Sequence, residues 1–222
     1  MTDAVNEFAL HEAAREGRAT KKDQDGRYPI HWAVSSNNLT IVTQLAQLRD
    51  FDPDVQDDSG WTPLMIAVNV ADSDNVVSLL LQKGADTNIK NSLDQTIMHS
   101  IASKKKLDLA RKFLEMKPPV SVRVKDKRGQ YPIHRAAAAG SVPMVELLLK
   151  NRSPIDASDS AGSTALHHAI SEGHGDVAVA LLKAGADATK KDLDGYLAID
   201  LAPDSEVRKY IVKMAEEEGI QL

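Results

Sequence analysis

Histidine is the residue type of this 222-residue chain that could most readily bind a metal ion or transfer protons, and there are seven of them. Imidazole nitrogens are common zinc ligands, and the ring titrates near neutral pH. A metal site, however, requires ligands that converge on one point. Five histidines instead hold the same place in a recurring phrase: His11, His31, His99, His134 and His167. Because these rings lie roughly one repeat apart, we expect structural roles for them and no metal binding.

The two remaining histidines, His168 and His174, lie in the segment HHAISEGHGD, which superficially resembles a metal-binding cluster. Asp176 near His174 forms no known ligand spacing, and EGHGD fits a loop between paired helices. Cysteine is absent, which excludes disulfides, thiol catalysis and cysteine-ligated zinc. The glycines fall singly, without a GxxxxGK, GxGxxG or GxSxG arrangement. We therefore predict no metal, no cofactor, no catalytic residue and no enzymatic activity.

The composition is that of a folded protein, and no stretch approaches the roughly 18 consecutive apolar residues of a membrane span. The N-terminal sequence MTDAVNEFAL lacks the basic start and apolar core of a secretory signal. We expect a protein of the cytoplasm and nucleus that is monomeric when free and binds no membrane.

The net charge of −5 argues against a dominant role in nucleic-acid binding, but the charges are unevenly distributed. Residues 1–102 carry 8 basic and 15 acidic side chains, residues 103–135 carry 11 and 3, and residues 136–222 carry 8 and 14. Such an acid–base–acid pattern could steer a protein partner that carries the complementary pattern. The alternative is a solvated surface on which charges cluster by chance.

One phrase recurs six times and identifies the elements that must position these residues. It reads DGRYPIHWA at 25–33, SGWTPLMIA at 59–67, LDQTIMHSI at 93–101, RGQYPIHRA at 128–136, AGSTALHHA at 161–169 and DGYLAIDLA at 194–202. Its second position advances by 34, 34, 35, 33 and 33 residues. This period and phrase resemble the ankyrin repeat and its T-P-L-H-x-A signature. The resemblance implies an all-α solenoid of helix pairs with β-hairpin fingers, in which the phrase histidine hydrogen-bonds near the turn.

We predict a single ankyrin-repeat domain that covers residues 1–222. Its repeats have the approximate bounds 7–20, 21–54, 55–88, 89–123, 124–156, 157–189 and 190–222, and the first repeat is shortened. Within each phrase the glycine suits a turn that needs positive φ, and Pro29, Pro63 and Pro132 suit the first helical position. The Ile or Leu and the Ala that follow should face the stack, because no repeat can bury its apolar face alone.

Two repeats depart from the pattern. The fourth has Asp94 for glycine, Ile97 for proline and Ile101 for alanine, so we expect it to be locally less regular. In the first, His11 and His31 are only 20 residues apart, which leaves roughly 13 residues, the length of a second helix with its loop, missing. We favour loss of that segment over a degenerate cap. The residues expected to lose part of their cover as a result are apolar members of the second repeat: Leu39, Val42 and Leu45.

Aromatic and basic residues mark a candidate protein-binding face. Trp32 and Arg135 follow the phrase histidine, a position that faces the concave surface in ankyrin stacks. Arg27 and Trp61 follow the turn residue, near the fingers that overhang that surface. Trp and Arg are enriched among interface anchors. Trp61 could instead pack against the neighbouring finger, and Lys104, in a run of three lysines, could either contact an acidic or phosphate group or belong to a polar loop.

Longer phrases resemble one family in particular. KDQDGRYPIHWAV at 22–34, DDSGWTP at 57–63, KDKRGQYPIHRAAAAGS at 125–141 and EGHGDVAVALL at 172–182 are similar to gankyrin. They are still more similar to its fungal orthologues, the non-ATPase assembly chaperones of the proteasome regulatory particle. The resemblance implies that the concave face binds the C-terminal domain of the third ATPase subunit of the regulatory-particle base.

The resemblance also implies contact residues, carried over position by position. These are Asp25, Arg27, Asp57, Asp58, Trp61, Lys104 and Arg135, and Trp32 joins them through its place after the phrase histidine. The alternative function is that of an ankyrin-repeat adaptor or inhibitor of another signalling or transcription protein.

Overall fold

The computed structural model describes residues 21–222, so the shortened first repeat at 7–20, with His11, lies outside the described residues. The described residues form two compact units that divide between Ile97 and Met98. We call them the N-terminal unit (21–97) and the C-terminal unit (98–222), and each is described by itself. The organisation as one domain stays a prediction.

The N-terminal unit is built from two helix pairs. Its helices are α1 (Pro29–Ser35), α2 (Leu39–Leu45), α3 (Pro63–Ala67) and α4 (Asp74–Gln82). Helix α1 packs on α3 and α2 packs on α4, so equivalent helices of successive repeats stack on each other. Pro29 and Pro63 occupy the first helical position as predicted, because proline lacks an N–H that the first turn would leave unpaired.

The C-terminal unit continues the same arrangement. Its elements are α5 (Ile97–Ser103), which begins at the last residue of the N-terminal unit, α6 (Leu107–Leu114), α7 (Pro132–Ala138), α8 (Val142–Lys150), α9 (Ala165–Ser171), α10 (Gly175–Lys183), a 3-10 turn (Ala198–Leu201) and α11 (Ser205–Glu217). Helix α9 packs between α7 and the 3-10 turn, while α10 packs on both α8 and α11. Pro132 again opens its helix.

Small residues let the first helices approach closely. The phrase alanines Ala33, Ala67, Ala136 and Ala169 are all 0% exposed, as the sequence predicts. In the fourth repeat Ile101 takes this place and is also 0% exposed. Within each unit this position is therefore buried, and in the C-terminal unit it also accommodates the larger side chain of Ile101.

We call the loop that precedes each first helix a finger, and each finger is held by an Asp or Asn at its start. In the third repeat, Oδ1 of Asp57 accepts hydrogen bonds from the backbone N–H groups of Ser59 (3.0 Å) and Trp61 (2.9 Å). The same pattern recurs at Asp23, Asn91, Asp126, Asp159 and Asp192.

Within residues 21–222 the fingers are turns without paired strands, except for one antiparallel bridge between Lys191 and Leu197. This differs from the β-hairpins expected. A side-chain carboxylate takes over the backbone donors that a longer hairpin would pair across its two strands. The finger is therefore compact, and the side chain at its start holds it together with a few backbone hydrogen bonds.

The phrase histidines tie each repeat to the next finger. Nδ1 of His134 accepts from the N–H of Tyr131 (3.1 Å), so Nε2 carries the proton and donates to the carbonyl of Ala157 (2.9 Å). His31 and His167 make the same pair of bonds, and Nε2 of His99 donates to the carbonyl of Gln130 (3.0 Å). These contacts show a hydrogen-bonding role for the phrase histidines that the structure describes.

The irregular fourth repeat forms the same turn as the others, but with a strained backbone at Asp94. Asp94 adopts φ +58°, in the left-handed region that glycine occupies elsewhere, for example at Gly60 (φ +75°). Ile97 is nevertheless only 1% exposed. The repeat is therefore strained at its turn but packed in its core.

We expected the shortened first repeat to leave Leu39, Val42 and Leu45 partly exposed, and two of these three residues are buried instead. Val42 and Leu45 are buried, at 0% and 1% exposed, whereas Leu39 is 38% exposed. The expectation is thus wrong for Val42 and Leu45, since α2 packs against both α1 and α4.

Candidate protein-binding site

An acid in the finger positions a larger side chain on the helix nine residues later. Each finger acid uses Oδ1 for the turn, which leaves Oδ2 free for a side chain. Oδ2 of Asp126 accepts from Nη2 of Arg135 at 2.7 Å, and Oδ2 of Asp159 accepts from Nε2 of His168 at 2.9 Å. In the second repeat, Oδ2 of Asp23 accepts from Nε1 of Trp32 at 2.7 Å. In these three repeats the helix residue that follows the phrase histidine is therefore held in place by a carboxylate.

In the N-terminal unit these contacts build a group that we call the Trp32 cluster, made of Asp23, Arg27, Trp32 and Asp57. The guanidinium carbon of Arg27 lies 4.9 Å from the centre of a Trp32 ring, which is a cation–π geometry. Nε of Arg27 lies 3.4 Å from Oδ2 of Asp57. The Arg27 side chain is 33% exposed, so it presents a positioned cation beside an aromatic face.

The other predicted residues of this unit divide into exposed and buried members. Asp25 and Asp58 are exposed, and the N–H of Asp58 donates to the carbonyl of Asp25 across adjacent fingers (3.2 Å). Trp61 is half-buried, and its carbonyl accepts from His31. Asp57 has only 3% of its side chain exposed, because Oδ1 accepts the hydrogen bonds of its turn and Oδ2 faces Arg27. Asp57 therefore positions Arg27 and presents little surface of its own.

In the C-terminal unit the corresponding group is the Arg135 cluster, made of Asp126, Gln130, Arg135, Asp159 and His168. Nε2 of Gln130 donates to Oδ2 of Asp159 at 2.9 Å, so that one oxygen accepts from two side chains. The ring of His168 also lies edge-on to the ring of His134, with centroids 5.7 Å apart. These contacts join the fingers of two successive repeats to both of their first helices.

The acids of the Arg135 cluster are carboxylates at neutral pH. Burial raises the pKa of Asp126, but hydrogen bonds from Arg135 and from the Gln130 backbone outweigh it and leave the pKa below its ordinary value. The pKa of Asp159 is also lowered, because hydrogen bonds from Gln130 and His168 outweigh burial. With both acids ionised, the guanidinium and imidazole N–H groups have strong acceptors.

Lys104 lies apart from these clusters in sequence and environment. It is exposed and follows α5, in a turn where Lys105 has φ +55°. Lys104 is thus an exposed cation of the C-terminal unit, and within residues 21–222 it has no anchoring acid like that of Arg135.

Sequence reasoning did not identify Asp23, Asp126, Asp159 or His168 as members of a site. The available signal was the recurring spacing of nine residues between the finger acid and the residue after the phrase histidine, namely Asp23 to Trp32, Asp126 to Arg135 and Asp159 to His168. The spacing crosses a turn and a helix start, so neither the helical nor the strand period reveals it.

The geometry provides hydrogen-bonding groups but no metal centre among residues 21–222, where no three potential ligands are placed to share an ion. His174 lies against Gly140, where an added Cβ would come within 2.5 Å of the imidazole ring, and its Nε2 meets the carbonyl of Ala138 at 3.2 Å. His174 therefore has a packing role. No helix in the described part of the chain is long and apolar enough to cross a membrane.

Comparison with known proteins extends these observations. A family model described as ankyrin repeats (3 copies) matches residues 1–91 and 97–192. The probable 26S proteasome regulatory subunit p28 of Saccharomyces cerevisiae is 36% identical, and the match covers 94% of this chain and 99% of that protein. An ankyrin repeat-containing protein of Schizosaccharomyces pombe is 38% identical, with 90% and 86% covered.

A solved structure gives independent support for the fold. The ankyrin repeat domain of Bcl-3 aligns with a TM-score of 0.72 at 23% identity, over 94% of this chain and 92% of that one. At this identity the likeness concerns the fold alone. The predicted ankyrin-repeat fold is confirmed.

Proposed function

The chain belongs to the gankyrin family of ankyrin-repeat proteins, and from this premise we propose that it is an assembly chaperone of the proteasome regulatory particle. Its proposed partner is the C-terminal domain of the third ATPase subunit of the base. The observation that carries the proposal is the match to a probable proteasome regulatory subunit over nearly the full length of both chains. The protein acts in the cytoplasm and nucleus, as a monomer before it meets its partner.

The two clusters support a role in protein binding. Association costs free energy because side chains lose rotamer freedom, and a residue that is already held in its bound geometry avoids part of this cost. Arg27 and Arg135 are held in this way by the buried acids Asp57 and Asp126, and Trp32 is held by the exposed Asp23. Trp and Arg are also the residue types that most often dominate binding energy at interfaces. Each unit therefore carries anchors that carboxylates fix in advance.

The proposed function includes no catalysis. The Asp159–His168 pair resembles part of a catalytic arrangement, but Gln130 occupies the same carboxylate oxygen. Nucleophilic catalysis would need a hydroxyl or thiol next to the imidazole, and His168 makes no such contact among the described residues. Binding is the role that this geometry supports best.

Isothermal titration of the purified chain with the recombinant C-terminal domain of the third base ATPase subunit tests the proposal. The matched control is the C-terminal domain of another base ATPase subunit. We expect a saturable one-to-one complex with the first domain and at least tenfold weaker binding of the second. Equal binding of both domains, or binding of neither, would overturn the proposal and favour an adaptor for another protein.

A further inference from the structure

We propose that His168 is a further partner-binding residue, whose outward Nδ1 accepts a hydrogen bond, and that Asp159 is the residue that sets this polarity. The inference rests on the proposed function and extends its site by one repeat beyond Arg135. It concerns the C-terminal unit alone.

The position of His168 is the first step. Arg135 and His168 occupy equivalent places in successive repeats, each immediately after the phrase histidine and each nine residues after a finger acid. Their side chains are similarly exposed, at 24% and 23%, while those of Asp126 and Asp159 are 2% and 4% exposed. His168 and Arg135 thus have the same environment: each contacts a buried acid, and part of each side chain lies in solvent.

The protonation of the ring is the second step. The ionised carboxylate of Asp159 can only accept, so Nε2 of His168, 2.9 Å away, must carry a hydrogen. Nε2 of Gln130, 3.3 Å from the same ring nitrogen, is itself a donor to Asp159 and does not compete for this proton. In the neutral ring Nδ1 is therefore an acceptor. Among the described residues the hydrogen-bond partners of this ring are all at Nε2, and Nδ1 is not one of their buried unpaired atoms, so it reaches solvent.

The surroundings indicate which donor the partner offers. Residues 136–222, which include His168, carry 8 basic and 14 acidic side chains. Exposed Glu172 follows one turn later on the same segment. A surface of this sign attracts basic segments, so we infer that the group facing Nδ1 is a lysine or arginine N–H of the partner. A carboxylate of the partner would be repelled here, because it would face the lone pair of Nδ1 and the negative charge of this segment.

Two substitutions separate the two nitrogens. His168→Gln keeps an amide N–H in the place of Nε2, facing Asp159, but removes the acceptor at Nδ1. Asp159→Asn keeps the oxygen that holds the turn but places an amide donor opposite Nε2. The proton of His168 then moves to Nδ1, and the outward acceptor becomes a donor. The second variant thus changes the polarity of His168 without changing its identity, much as an Asp-to-Asn change alters a catalytic histidine's tautomer.

Titration with the ATPase-subunit domain is the first test. We expect His168→Gln and Asp159→Asn each to weaken binding about fivefold, which corresponds to about 1 kcal/mol. The double variant should lose no more than either single variant, because Asp159 acts through His168. Exposed Glu146→Gln, on the second helix α8, is the matched control and should change the dissociation constant less than twofold. Unchanged affinity in His168→Gln, or losses that add in the double variant, would overturn the inference.

Nitrogen NMR of the imidazole is the second test and needs no partner. The wild type should show protonated Nε2 and free Nδ1 at His168, and Asp159→Asn should show the reverse. A wild-type ring with the proton on Nδ1 would overturn the assignment even if His168→Gln weakens binding. If the wild type does not bind the domain while Nε2 is protonated as expected, the proposed function has failed, and the binding role of His168 fails with it.

Discussion

Nη2 of Arg135 lies 2.7 Å from Oδ2 of Asp126, and that carboxylate belongs to a side chain only 2% exposed. The pair therefore joins a buried acid to a residue that we assign to the partner-binding surface. Folding and binding consequently share one residue, so substitutions at Arg135 need a design that separates the two effects.

Reversing the charge at Arg135 should damage both folding and binding. Arg135→Glu places two carboxylates together at a site shielded from water, and breaking such a pair costs about 3 kcal/mol. Arg135→Gln retains an N–H that can reach Asp126 and should cost about 1 kcal/mol of unfolding free energy. Urea denaturation measures both values. Equal stability of the two variants would show that Asp126 does not depend on the cation.

Stability should fall between about pH 6.5 and pH 4. Burial, with a smaller effect of the neighbouring His168, lowers the pKa of His134 to about 4, and burial also lowers the pKa of His31 and His167. A histidine whose pKa is lower in the folded state stabilises that state fully above pH 6.5 and loses this effect as the pH falls. For His134 alone the loss is on the order of 3 kcal/mol at pH 4.

Denaturation curves at pH 7, 5.5 and 4.5 test this expectation. A His134→Gln variant, less stable at pH 7, should show a flatter dependence over the same range. Stability that is constant from pH 7 to pH 4.5 in the wild type would contradict the role of the neutral phrase histidines.

Replacing Asp94 by glycine should stabilise the protein by about 1 kcal/mol. Asp94 adopts φ +58°, where a residue with a Cβ is strained and glycine is not. The converse control is Gly60→Ala, because a Cβ there would lie 2.7 Å from the backbone nitrogen of Ser92. The control should destabilise. A lower thermal midpoint for Asp94→Gly would show that the aspartate contributes something that its backbone strain does not reveal.

Association with the ATPase-subunit domain should be sensitive to salt, chiefly in its rate. Residues 103–135 carry 11 basic and 3 acidic side chains between two acidic segments, and such a pattern steers encounter. At about 0.15 M ionic strength the screening length is already near 8 Å. Stopped-flow measurements from low to high salt should show association slowing severalfold while dissociation changes less. An association rate independent of salt would leave the charge pattern without a role in binding.

The sequence predicted the repeating elements because each is defined by a local signal. Pro132 opens a helix through its fixed φ, and His134 bonds to the N–H three residues before it, so both act within one phrase. The hydrogen bond from Arg135 to Asp126, in contrast, depends on the angle at which the finger turn leads into the helix. The family resemblance implied Asp57 as a contact residue, but its side chain is only 3% exposed and lies beside Arg27. Such contacts depend on tertiary packing, which the repeat pattern alone does not encode.

The affinity of Trp32→Ala for the C-terminal domain of the third base ATPase subunit tests the central claim most directly. Trp32 is held by Asp23 and stacked on Arg27, and its loss as an anchor should weaken binding about thirtyfold, equivalent to about 2 kcal/mol. Leu39→Ala, which truncates an exposed side chain on the second helix of the same pair, should change affinity less than twofold. Circular dichroism should show that both variants remain folded. Equal affinity of the two variants would contradict a partner-binding face built on the residues that follow the phrase histidines.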